Sequence, residues 1–145
     1  MNEIKFRAWD ENRMVEVVQL NLDTTEHLVR YEGKEYIANI SEENVMQYAG
    51  LTAKKSDYED IFTGDILMVE SPKGEFKAQV VYELGTFGIV GIKCQVIDYF
   101  EDNYNDEFLP LTHIHWNTDY TEWIELSTVE IIGNIYENPE LMEDN

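Results

Sequence analysis

Apolar and polar residues alternate along most of the chain with the period of two expected for strands that bury one face. Ile4, Phe6 and Ala8 alternate with Lys5, Arg7 and Trp9. Asp10 to Asn12 then supply turn chemistry before Met14, Val15, Val17 and Val18 resume the extended pattern, so a β-hairpin is predicted here. A Glu-Gly-Lys turn followed by Tyr36, Ile37 and Ile40 predicts another short strand. Ser41, Glu42, Glu43 and Asn44 read as the cap of one helical turn running into Val45 and Met46.

Residues 52–60 are polar and punctuated, the best candidate connection between two halves. Beyond them Asp65 to Val69 is an apolar run closed by Ser71-Pro72-Lys73-Gly74, with Phe76 to Tyr82 as its partner strand. Gly85, Gly88 and Gly91 interrupt Phe87, Ile89, Val90 and Ile92 in the manner of bulges or tight barrel corners. Asp98 to Glu107, with five acids and two Asn, predicts an exposed loop. Trp123 to Leu126 and Val129 to Ile135 predict two further strands, and Asn138-Pro139 marks the end of the folded part before an acidic tail.

At 145 residues the chain is the size of one compact folding unit. An apolar fraction of 43% is too rich for a disordered chain despite the charge. Ten Lys and Arg stand against thirty Asp and Glu, a formal charge of −20, and no Lys or Arg follows Lys93. Thirteen acids lie beyond it, so the C-terminal third repels phosphate backbones. Direct nucleic-acid binding is therefore not expected, and a basic host or phage protein is the easier partner. The start Met-Asn-Glu-Ile-Lys-Phe lacks a secretory apolar core, and no run approaches the roughly 20 residues that cross a bilayer. A cytoplasmic protein in a host cell, without membrane contact, is expected.

Candidate chemistry is sparse. His113 and His115 lie two apart, so a strand would point both at one ion, with Asp119 or Glu122 as a third ligand. Two histidines without a defined third ligand more often serve structure, and no metal or other cofactor is assigned. The acidic loop lacks the central Gly of a calcium-binding loop and reads as a solvated face. The single Cys94 has no base near it in sequence and reads as a small buried hydrophobe. No nucleophile elbow, phosphate-binding loop or zinc-protease helix motif occurs, so no catalytic residue is assigned and no enzyme is expected.

Three stretches taken together carry a resemblance. They are Ile4-Lys5-Phe6-Arg7-Ala8-Trp9-Asp10, then Gln47 to Leu51 with Ile61-Phe62-Thr63-Gly64-Asp65-Ile66-Leu67, and finally Ile131-Ile132-Gly133-Asn134-Ile135-Tyr136-Glu137-Asn138-Pro139-Glu140-Leu141. The chain resembles the YopX family of phage and prophage proteins, with Ala49 where Thr is usual and Thr63 where Glu is usual. The resemblance implies an SH3-like small β-barrel after the Gly64-Asp65-Ile66 segment in a protein encoded by a mobile element, and it implies no active site. The expected architecture is all-β: one domain over 1–137, comprising an N-terminal β-hairpin lobe over 1–51 and an SH3-like barrel over 58–137, then an acidic tail over 138–145. The expected function is that of a non-enzymatic phage or prophage accessory protein acting through protein–protein binding as a homo-oligomer. Two other classes stand behind it: an acidic nucleic-acid mimic that inhibits a host nucleic-acid-binding enzyme, and a metal-dependent hydrolase using His113 and His115.

Overall fold

A computed structural model describes residues 4–71, 73–83, 85–94, 108–110 and 129–143, with the backbone alone for 108–110. The chain divides into two units, Met1–Gly50 and Leu51–Asn145. Among the described residues every regular element is a β-strand or a short 3₁₀ turn.

The first unit contains β1 (Phe6–Asp10), β2 (Arg13–Gln19), β3 (Glu26–Tyr31), β4 (Lys34–Asn39) and the start of β5 (Val45–Ala53). They form an antiparallel sheet in the order β4-β3-β2-β1-β5. Ala8 lies opposite Val15, Val17 opposite Val29, and His27 opposite Ala38, so alternate residues of four strands share one face. That face holds the buried cluster Ala8, Val15, Val29, Ala38 and Ile40, with Val17, Tyr31, Tyr36 and Val45 packed against it. Burying each of its larger side chains contributes about 1.5–3 kcal/mol.

The second unit contains β6 (Glu59–Phe62), which pairs with β5, and β7 (Asp65–Ser71), β8 (Gly74–Glu83), β9 (Thr86–Gly91), β10 (Phe108–Pro110) and β11 (Val129–Asn134). The last five form an antiparallel sheet in the order β10-β9-β8-β7-β11. Ile61, Ile66, Leu67, Val69, Val80 and Ile89 are fully enclosed in it or beside it. The expected all-β class is thus met by two antiparallel sheets. Among the described residues β10 and β11 remain the two edges of the second sheet, and no pairing closes it into a barrel.

Four local expectations change. Ser41 makes no side-chain cap, the turn over Glu42–Asn44 is 3₁₀, and Val45 and Met46 begin β5. Both residues carry side chains with good strand fitness, and pairing with β1 outweighs the weak capping signal. The register of β8 with β9 runs unbroken past Gly88, so the glycine run holds no bulge; the bulges fall between Val17 and Gln19 and between Ile131 and Gly133. The 52–60 segment is less a linker than the end of β5, a 3₁₀ turn over Lys54–Ser56 and the start of β6. Beyond Asn138, Pro139–Met142 form a further 3₁₀ turn, and Lys77 Nζ donates to the Leu141 carbonyl at 3.0 Å, so ordered packing extends into the acidic tail.

Candidate functional site

The β3–β4 hairpin turns on two residues, Glu32 and Gly33, both at positive φ (52° and 81°). This is the I′ geometry, whose twist matches the flanking strands and whose second position favours glycine. A two-residue loop fixes which backbone groups face the neighbouring strand. Tyr31 and Lys34 close the loop as a doubly bonded pair, and such pairs alternate along an antiparallel ladder. The bond from Ile40 N to the Thr25 carbonyl, 2.7 Å, continues the same alternation past the end of β4. Lys34, Tyr36 and Ala38 therefore bond inward to β3. Glu35, Ile37 and Asn39 turn their N–H and C=O groups toward the outer edge, because among the described residues β4 is the last strand of its sheet.

The side chains of these three residues share the face opposite the buried cluster. Ile37 is 61% exposed there, and Leu22 on the β2–β3 loop is 89% exposed. Both line one shallow open groove with Leu20, Asn21, Asp23 and Glu26. The loop is held from beneath. His27, buried on the core side of β3, accepts the Asn21 backbone N–H at Nδ1 (3.1 Å), and Asn21 Nδ2 donates to the Glu26 carbonyl. Arg30 bridges Glu16 at 3.0 Å and Glu35 at 2.5 Å on the same exposed face; solvent-exposed pairs of this kind contribute little to stability and mainly order the surface. Thr25 Oγ1 donates to Asn39 Oδ1.

At the turn end of the core face a second polar group closes the sheet. Arg13 donates to the Tyr36 hydroxyl at 2.8 Å, and that hydroxyl donates to Asp10 Oδ2 at 2.5 Å. The guanidinium lies 4.4 Å from the Tyr31 ring centre and 5.2 Å from that of Tyr36, a cation–π arrangement. Partial burial and then the bond to Asp10 push the Tyr36 phenol up from its ordinary range, with Arg13 acting against them. The bond to Tyr36 in turn raises the Arg13 guanidinium.

His113, His115, Asp119 and Glu122 all lie outside the described residues, as does the acidic loop 98–107. Among the described residues no three His, Cys, Asp or Glu side chains converge on a common point. Cys94 is half-buried beside the Lys77 carbonyl, 3.9 Å from its Sγ.

The closing segment is committed to a turn. Asn134 Oδ1 accepts the N–H groups of Tyr136 (3.0 Å) and Glu137 (2.9 Å), and its Nδ2 donates to Glu137 Oε1. Asn138 Oδ1 accepts the Asn134 N–H at 3.2 Å. The Gly64-Asp65 segment behaves alike: Asp65 Oδ2 accepts the Phe62 N–H at 2.8 Å, and Gly64 donates to Val80 and accepts from Ile135. The features missed by pattern reasoning are the free edge of β4, the exposed Leu22 and the buried His27. The exposed Ile37 within a short polar-flanked strand was the available signal for the first.

The chain matches the model of a family described as YopX protein over residues 5–143. It is similar to the X-ray crystal structure of protein yopX from Bacillus subtilis, with 19% identity and a TM-score of 0.58, covering 100% of this chain and 99% of that one. At this identity the likeness concerns the fold. No curated protein matches the chain. No helix among the described residues is long and apolar enough to cross a membrane.

Proposed function

The chain belongs to the YopX family, and from that premise we propose a non-enzymatic phage or prophage accessory protein that acts by binding protein, as a homo-oligomer. The observation that carries this reading is the open edge of β4. It offers backbone donors and acceptors at Glu35, Ile37 and Asn39 that have no strand partner among the described residues, beside the exposed Ile37 and Leu22. An extended segment added to such an edge gains main-chain bonds for affinity and alternate side chains for specificity. The residues of the shared motifs support the non-enzymatic part, since Asp65, Asn134 and Asn138 spend their polar atoms on turns.

The second unit reads best as an SH3-like barrel. Support comes from its strand order, in which the meander β7-β8-β9-β10 is followed by a last strand that returns to pair with β7, as in SH3-type domains. The ten-residue β8 has the length that bending across both halves of a small barrel demands. Spin labels on β10 and β11 that report a wide separation in solution would remove this part of the reading.

Light scattering tests the oligomer. A mass above that of one chain at tens of micromolar protein is expected, and a strictly monomeric mass refutes it. The charge pattern beyond Lys93 favours a second reading, an acidic surrogate for phosphate at the nucleic-acid site of a host enzyme. Capture of one basic nucleic-acid enzyme from host lysate, released by competing DNA, would select that reading instead.

A further inference from the structure

We propose that β4 pairs antiparallel with β4 of a second copy about a two-fold axis normal to the sheet that passes midway between the two Ile37 residues. The inference rests on the protein-binding reading above and names its partner and register. A two-fold axis that joins two strands in one sheet must keep like faces together, so it sets one residue directly opposite its own counterpart, and the axis is named below by that residue. Three positions on β4 are then open to it: Tyr36, Ile37 and Ala38.

The axis through Ile37 uses every outward-facing backbone group. Glu35 comes opposite Asn39 of the second copy, Ile37 opposite its own counterpart, and Asn39 opposite Glu35. An axis through Tyr36 sets the Glu35 carboxylate against Ile37 and leaves Asn39 facing Gly33 in the turn. One through Ala38 sets Ile37 against Asn39 and leaves Glu35 beyond the strand end, at Ser41. Both alternatives leave edge groups without strand partners.

Side-chain chemistry selects the same register. The Asn39 carbonyl oxygen already accepts from Thr25, which leaves its amide N–H groups as donors. Glu35, an acceptor held forward by Arg30, then stands across from a donor at both ends of the pairing. Between these two amide–carboxylate pairs the exposed Ile37 covers its own copy. No two like charges come directly opposite one another, the arrangement that a self-pairing acidic chain must satisfy.

The experiment compares wild type with Ile37→Pro and Ile37→Lys. Proline removes an N–H that has no strand partner among the described residues, and an edge strand tolerates it. Lysine is a surface change at a residue already exposed. Both should keep the wild-type far-UV spectrum while the dimer dissociation constant rises at least about tenfold, as expected at the centre of an interface. In a Cys94→Ser background, Ile37→Cys should give a covalent dimer with a short bis-maleimide. Undiminished association of either variant in its folded form, or no cross-link in a chain that still associates, overturns this register and leaves protein binding standing through another surface. A monomeric wild type overturns both.

Discussion

Gly133 and Asn138 stand so close that a Cβ on the glycine would lie 2.5 Å from the asparagine Oδ1 and 2.7 Å from its Cγ. The asparagine cannot simply retreat, because the same Oδ1 accepts the Asn134 N–H. The segment that most clearly carries the family resemblance is therefore a packing device. It lets β11 leave its pairing with β7 just after the bulge and turn into the last 3₁₀ turn.

Gly133→Ala should lower stability by about 1–3 kcal/mol, the usual cost of forcing extra volume into a packed site. In an Asn138→Ala background the same change should cost much less, since the obstructing side chain is gone. Urea unfolding of the four chains of this cycle measures the coupling. An equal penalty in both backgrounds would mean that the glycine is needed for its backbone and not for its neighbour.

Asp65 is 1% exposed and accepts the Phe62 N–H at the entry to β7. Asp65→Ala strands that donor and should cost about 1–3 kcal/mol. Asp65→Asn keeps an acceptor oxygen in place and should recover most of the loss. Denaturant midpoints at neutral pH distinguish the two, and equal losses would show that the carboxylate charge, not the bond, is what matters.

How far these arrangements were legible depends on their range along the chain. The β1–β2 and β7–β8 hairpins stand out because alternation and turn residues are adjacent in sequence. Ala8 and Val15, or Val69 and Phe76, announce a shared face within a few positions. β3 and β5 do not, for their residues depart from the period: in β3 the polar His27 takes the core face and the apolar Leu28 the other, and in β5 the apolar Val45 and Met46 are adjacent. β4 is readable as a strand, but its place at the sheet edge depends on where β5 inserts. That is a long-range pairing with β1 that no local window contains. The Asn134–Asn138 network illustrates the converse. Its residues were conspicuous as a motif, while their purpose, satisfying backbone N–H groups at the end of a strand, needs the three-dimensional turn.

Alkaline pH should act through Tyr36. Its folded-state phenol lies above the ordinary value near 10, by partial burial first and by the bond to Asp10 second. The folded chain therefore holds this proton more tightly than the unfolded one. The stability it contributes is fully present below about pH 10 and is lost as pH rises through the higher folded value. Absorbance near 295 nm should show one tyrosine ionising after the exposed ones, and Tyr36→Phe should remove that late step. The variant should also unfold less steeply with pH above 10. A late step that survives Tyr36→Phe would assign it to another phenol.

Salt decides between two forces in self-association. The net charge of −20 repels like copies over long distances. At about 0.01 M salt the Debye length is about 30 Å, and the repulsion reaches across a whole domain. At 0.15 M it is roughly 8 Å, and only nearby charges interact. The contacts proposed at the β4 edge are short-ranged: main-chain bonds, an Ile37–Ile37 pair and amide–carboxylate pairs between Glu35 and Asn39. Screening removes much of the repulsion and little of this attraction. Association entropy consumes much of the gain from an interface of standard size, so the residual repulsion is large enough to tip the balance. Raising salt from about 20 mM to about 500 mM should therefore lower the dissociation constant, by on the order of tenfold. Light scattering across that series measures it. If the oligomer instead dissolved as salt rose, opposite charges would be holding it. Lys5, Arg7, Arg13 and Arg30 of the N-terminal half would then be the residues to change against the acidic C-terminal half.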